Sequence, residues 1–303
     1  MKDCYRPGRP LLSALLSAAL VAVVALDPLP ATAQTANTPS NRVTQIPDAE
    51  DDEPELDEVR FTIGMQGSIS PTYSGSDETG YALAPAARIV WRGYSISTSS
   101  VARASSEATT TRSSETGLTG PLYRTNEFAF GFGASINRGR DVGEEDVAKG
   151  LKSLPATVIG RLRMRYYFNP DFVFTATLYG DLLGRQNSLE LPIGLRWRYP
   201  LRRKLLFHAD IGMTFVNARG MSNNYGIGPE EQAASGLPLY EPSAGLREVA
   251  SSIGLVGEPS RHWVWVARLS FVKLVGPAAA SPIVKQTFQP ALLVGFAYRF
   301  TLH

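Results

Sequence analysis

His208 and Asp210, two residues apart, and the run Arg161, Arg163 and Arg165 are the side chains of this 303-residue chain whose types and spacing could do chemistry. On a β-strand a spacing of two puts side chains on one face. An imidazole beside a carboxylate is part of a hydrolase constellation. Hydrolysis also needs a Ser or Thr nucleophile, or a carboxylate pair that activates water, within hydrogen-bond reach of the ring. No spacing singles out such a partner, so a hydrogen-bonded histidine in a polar interior stands beside the hydrolase reading. His262 lies beside a predicted turn and His303 at the terminus, so no histidine metal site takes shape. No catalytic, cofactor or metal site is therefore predicted, and the chain reads as non-enzymatic.

The arginines are more numerous. Arg60, Arg88, Arg196, Arg198, Arg268 and Arg299 fall on the same strand face as Arg161, Arg163 and Arg165, against Glu127, Asp181, Glu190 and Asp210. Such a surplus along a narrow pore would favour anions. The same arginines, paired with the few carboxylates and with water, would instead fill a closed lumen. The sequence leaves both open.

What must position these side chains is a set of strands. From Val59 onward apolar residues recur at every second position. Phe288, Pro290, Leu292, Val294, Phe296, Tyr298 and Phe300 alternate with Gln289, Gly295, Ala297, Arg299 and Thr301 in the last strand. Phe128, Phe130, Phe132, Ala134 and Ile136 alternate with Gly131, Gly133, Ser135 and Asn137, and Leu162, Met164 and Tyr166 interleave the arginine run. Strands of this kind are predicted near residues 59, 81, 94, 117, 128, 161, 172, 189, 207, 263 and 288, with a Gly- and Ser-rich one following Pro242, the one at 117–123 being the weakest. Connections alternate long and short, as in outer-membrane barrels with short periplasmic turns and longer outer loops. That alternation fits twelve antiparallel strands; without the weak one, parity falls back to ten.

Alternation alone also suits a soluble sandwich or ligand-binding barrel. The identity of the faces decides. Large apolar residues end in aromatics at the strand ends (Trp91, Tyr166, Trp197, Tyr199, Trp263, Tyr298), where rings sit at headgroup level. The opposite face carries arginine and glycine, which a dry core rejects and a wet lumen solvates. The fold class is all-β, an antiparallel transmembrane β-barrel embedded in outer-membrane lipid.

The organisation before the barrel follows from composition. Lys2, Arg6 and Arg9 precede an apolar run from Leu11 to Leu26, and Ala31-Thr32-Ala33 offers a signal-peptidase site, so residues 1–33 read as a cleaved secretory signal. The run is shorter than the ~20 residues of a spanning helix. Residues 34–58 read as a disordered acidic periplasmic tail, and residues 59–303 as the barrel. Cys4 is the one cysteine and precedes the apolar run, so the exported part would hold no disulfide. Charged residues make up 19% of the chain, below the ~25% usual for soluble domains. A net charge of +2 gives no reason to expect nucleic acid.

Several short motifs, in order, resemble the MipA/OmpV family (MltA-interacting protein-like) of Gram-negative outer-membrane proteins. They are Pro71-Thr72-Tyr73-Ser74-Gly75-Ser76-Asp77, Gly139-Arg140-Asp141, Tyr225-Gly226-Ile227, Ser235-Gly236-Leu237-Pro238 with Tyr240, Ala244-Gly245-Leu246-Arg247, Ser281-Pro282-Ile283-Val284, and the closing Tyr298-Arg299-Phe300. The resemblance implies a cell outer-membrane location and a barrel fold. It implies as partners the barrel assembly machinery and, from the namesake's role as a scaffold in peptidoglycan biosynthesis, a murein transglycosylase and a murein synthase. Two features depart from the family pattern: Thr301-Leu302-His303 follow the last aromatic, and the tail is acidic. A small-solute pore and a surface adhesin working through the outer loops are the alternative readings.

Overall fold

The computed structural model describes residues 59–98, 117–140 and 149–302. The signal and acidic-tail expectations lie outside these residues. The strands are β1 (Val59–Pro71), β2 (Thr79–Trp91), β3 (Tyr94–Ser97), β4 (Gly117–Arg124), β5 (Phe128–Asn137), β6 (Thr157–Tyr167), β7 (Phe172–Asp181), β8 (Leu189–Arg202), β9 (Leu205–Val216), β10 (Gly245–Gly257), β11 (Trp263–Leu274) and β12 (Phe288–Leu302). Each pairs antiparallel with its sequence neighbours, and β12 returns to β1 from Val59↔Leu302 to Ile69↔Leu292, closing the barrel. The weak strand at 117–123 is real: β4 pairs with β3 through Ser95↔Thr119 and with β5 through Leu118↔Ala134. Parity therefore holds at twelve rather than ten.

The two faces separate by chemistry. Outward-pointing Ile63, Leu83, Ile136, Leu162, Ile211 and Phe296 are exposed, each by more than half of its surface. Inward-pointing Thr62, Arg88, Arg161, Glu190, His208, Thr214 and Gln289 are buried. Hydrocarbon outside and hydrogen-bonding groups inside is the arrangement a membrane demands of a closed sheet.

Aromatic rings gather at the end of the short turns. Phe61 stacks on Phe300 with centroids 5.2 Å apart, Trp263 meets Tyr298 edge-on at 5.2 Å, and Phe128 lies 4.6 Å from Tyr166. Trp197 touches Phe172, Tyr199 and Phe207. All lie within a few residues of turns 125–127, 168–171, 203–204 and 258–262 or of the start of β1. Phe271 with Phe288 is the one described ring pair near the opposite rim.

The interior is not uniformly polar. Leu206, Val256, Val264, Val266 and Ala297 form an apolar cluster on the inner wall of β9 to β12. The alternation of β11 predicts Arg268 and Ser270 inside but is silent on Val264 and Val266, because valine suits either side of a sheet. Glu127 departs from its expected interior place: it sits exposed in the turn before β5.

Candidate functional site

Interior arginines can lie flat against the wall where glycine faces them. Arg161 pairs across from Gly133 and Arg163 from Gly131. A Cβ at Gly133 would fall 2.2 Å from Arg161 Nε. The same device serves His208, since a Cβ at Gly254 on β10 would meet its Cε1 at 2.3 Å. Arg88, Arg161, Arg163, Arg196 and Arg268 are buried in the lumen, while Arg60, Arg165, Arg198 and Arg299 are half-buried. Arg198 donates through Nε and Nη2 to the Pro170 carbonyl, and Arg299 pairs with Glu258 at 3.1 Å, so both serve the short-turn rim.

His208 is fully buried, and its Nε2 is 3.9 Å from Asp210 Oδ2, beyond hydrogen-bond range. Asp210 instead accepts from Arg196 Nε at 2.5 Å and from Ser252 Oγ at 3.1 Å. The serine is thus bonded to the carboxylate, and among the described residues neither ring nitrogen has a hydrogen-bond partner, in contrast to the hydrogen-bonded histidine expected from sequence. A Ser-His relay requires the hydroxyl on the imidazole. Asp181, counted from sequence as a lumen carboxylate, accepts from Thr157 Oγ1 and from the amides of Leu183, Gln186 and Asn187, anchoring the loop after β7. Among the described residues no His/Cys/Asp/Glu cluster could hold a metal.

Above the lumen, the long loops knit into a lid. It contains helices α1 (Ala218–Tyr225), α2 (Pro229–Ser235) and α3 (Gly276–Ala279). Asn217 caps α1, its Oδ1 accepting from Gly220 N at 2.9 Å. Tyr225 Oη and Ser74 Oγ are 2.7 Å apart, joining the β9–β10 loop to the β1–β2 loop. Ser281 Oγ donates to the Tyr225 carbonyl at 2.6 Å, and Tyr73 Oη to the Ile283 carbonyl at 3.3 Å. Arg140 reaches from the β5–β6 loop to the carbonyls of Lys152 and Asn223, each at 2.9 Å. Asn223 donates to Gln186 O at 2.8 Å, drawing in the β7–β8 loop. Gln289, at the top of β12, accepts from Gly75 N at 3.0 Å and donates to Ser76 O at 3.1 Å. Two apolar clusters fill the lid: Met221, Tyr225, Leu274 and Ala278 in one, and Leu151, Ile227 and Ile283 with Tyr73, Leu237 and Tyr240 in the other.

The motif residues converge on this lid. Gly75 has φ +102°, and a Cβ there would meet Val284 Cγ2 at 2.6 Å; Gly139 has φ +75°, and its Cβ would meet the Leu154 carbonyl at 2.1 Å. Both positions exclude a side chain on conformation and on space. Pro71 ends β1, and Pro282 lies between the bonded Ser281 and Ile283. Asp77 contributes little, its 3.8 Å contact with Lys285 being half-exposed. Tyr298 and Phe300 stand apart from the lid, in the aromatic rim.

Directly beneath lies an ion cluster that the alternation does not reveal. A register shift between Leu246 and Glu248 makes Arg247 a bulged residue, so Arg247 and Glu248 both face inward. Arg247 Nη1 donates to Glu190 Oε2 at 3.1 Å, while Nε and Nη2 donate to the two oxygens of Glu248 at 3.2 and 3.0 Å. Thr214 Oγ1 adds a bond to Glu248 at 3.2 Å. Strict period two would have put one of these neighbours outside; the Gly245-Leu246 start of β10 is the one local hint of irregularity.

A closed antiparallel sheet with lipid-compatible side chains outward, buried ions inward and loops folded over one mouth is an outer-membrane β-barrel. The sequence profile described as MltA-interacting protein MipA matches residues 63–300, and the chain belongs to that family. No curated protein sequence matches it. Among solved structures it is similar to OmpT of Vibrio cholerae expressed in the outer membrane, at 8% identity and a TM-score of 0.38, covering 80% of this chain and 98% of that one. It is also similar to the KdgM porin (8% identity, TM-score 0.35, 80% and 99% covered). OprD of Pseudomonas aeruginosa is a third (6% identity, TM-score 0.31, 85% and 99% covered).

Proposed function

We propose that this protein is a non-enzymatic, non-conducting outer-membrane scaffold whose barrel holds a lidded face outward and presents its short turns to a murein transglycosylase in the periplasm. The observation that carries this reading is the interlocked lid over the lumen, built from the motif residues. Family membership supports the partner class, since the family is described by its interaction with MltA. Arg202, Arg203 and Lys204 lie exposed at the β8–β9 turn, beside the aromatic rim, where a periplasmic partner or anionic headgroups can reach them. Crosslinking in intact envelopes, followed by capture of this chain, is expected to recover murein enzymes. Capture of barrel assembly components alone would overturn the scaffold reading.

One observation favours a second reading. Five arginines line a lumen cavity, as an anion-selective pore would require. Purified chain in a planar bilayer separates the two: the lid predicts silence, and steady anion-selective current would make the pore the better account.

A further inference from the structure

The outward face of the wall carries a groove at the lid end of the barrel, where β8 and β10 begin and β9 ends. Its volume is about 350 Å³, and Leu189, Leu191, Phe215, Asn217, Ala244 and Gly245 line it. Leu191 and Phe215 are cross-strand partners, and with Leu189 they are exposed on the lipid side. Beside these large side chains Ala244 and Gly245 offer at most a methyl, which leaves the wall recessed. Asn217, the one polar side chain of the lining, is already engaged. Its Oδ1 accepts from the amides of Leu189 at 3.1 Å and Gly220 at 2.9 Å, and its Nδ2 donates to the Asn187 carbonyl at 3.0 Å. A recess so poor in free polar groups holds water badly and hydrocarbon well. Its size suits a run of about a dozen methylene-sized groups.

Asn217 is also the cap of α1, so the groove runs up to that helix. Arg219 is exposed about 3 Å further along the helix axis. Ser222, three residues on and so on the same face, accepts from Lys152 Nζ at 3.3 Å. Burial and the charges of Arg140 and Arg219 hold the Lys152 ammonium below its ordinary value, with Glu231 opposing them. Glu231 is itself occupied, accepting from Gly228 N at 2.8 Å. The exposed acidic residue nearest in sequence is Glu241, three residues before Ala244, one anion against the two cations on α1. A hydrocarbon seat on the lipid face with cations directly above it matches a lipid whose headgroup carries phosphate.

We propose that this groove seats one acyl chain of lipid A, the phosphorylated glycolipid of the outer leaflet, with a phosphate meeting Arg219 and Lys152. The choice of leaflet rests on the outward lid proposed above; the groove and its cations do not depend on any scaffold partner.

The test incubates the full chain, refolded in detergent, with equal amounts of lipid A and phosphatidylglycerol and reads the retained lipid by native mass spectrometry. Three variants accompany it: Ala244→Leu, which fills the recess from an exposed position; Arg219→Gln; and Ala267→Leu, which adds the same bulk to β11 away from the groove as a control. The parent retains lipid A in preference, A244L and R219Q each weaken retention about tenfold, and A267L matches the parent. Absence of retained lipid A overturns the proposal, as does equal or preferential retention of phosphatidylglycerol, or lipid A binding that either A244L or R219Q leaves intact. Should A244L fail to fold, Leu191→Ala, which removes one bank of the groove, reports the same loss. Protease added to intact cells reads orientation: lid loops cleaved only after the envelope is opened overturn the outward reading and this proposal with it, whereas failed lipid binding leaves the crosslinking test of the scaffold untouched.

Discussion

Replacing Arg247 with methionine should destabilise the folded barrel more than any other single change in the lumen. Its side chain is 5% exposed and bridges Glu190 at 2% and Glu248 at 0%. Methionine removes three charge-assisted hydrogen bonds and leaves two buried carboxylates facing each other without their cation. Breaking a buried pair by removing one partner costs about 3–5 kcal/mol. That is a shift of roughly a thousandfold in the unfolding equilibrium. The loss comes from the orphaned charges rather than from the missing contacts, so the triple change Glu190→Gln, Arg247→Met, Glu248→Gln should restore most of it. Equilibrium urea unfolding in lipid, followed by the fluorescence of the four tryptophans, measures all three chains. A single variant within about 1 kcal/mol of the parent, or a triple variant no more stable than the single, would refute the electrostatic account.

The remaining expectations concern space, conformation and protonation. Gly254→Ala should cost about 1–3 kcal/mol by driving a methyl into the His208 ring, and adding His208→Ala should relieve it; the same urea titration checks both. Gly75→Ala, at φ +102° and against Val284, should loosen the lid and speed cleavage of the outer loops by added protease while the barrel stays folded. Burial holds the Tyr225 hydroxyl above its ordinary value of 10.0, so its contribution to stability is complete below about pH 10 and is lost as pH rises through the folded value. Tyr225→Phe should therefore lose about 1 kcal/mol at neutral pH with the Ser74 bond, yet flatten the alkaline fall; an unchanged alkaline slope would count against this assignment.

The wall was legible because a membrane barrel enforces one rule along every strand: hydrocarbon outside, hydrogen-bonding groups inside. Leu162 between Arg161 and Arg163 states that rule in three residues. Even the four-residue β3 was expected near residue 94, and the weak β4 after it fits the alternation of long and short connections. Two kinds of feature were hidden. Glu248 sits behind a bulge, and a single inserted residue reverses the inside-outside reading on one side of it. The lid depends on contacts between residues far apart in sequence, such as Tyr73 with Ile283 and Arg140 with Asn223, which no local period encodes. The motif glycines pointed to the lid, but the reason for them appears only when Val284 and Leu154 are seen against them.

The placing of the aromatic rings has a mechanical consequence. With ring pairs massed around the short turns and, among the described residues, only Phe271 and Phe288 paired near the far rim, the molecule is moored to one leaflet. Its draught in the bilayer is then set from the short-turn end, and a thicker or thinner membrane is accommodated at the other end. Arg202, Arg203 and Lys204, exposed at that anchored end, then keep their height relative to the nearer leaflet when the bilayer thickens or thins.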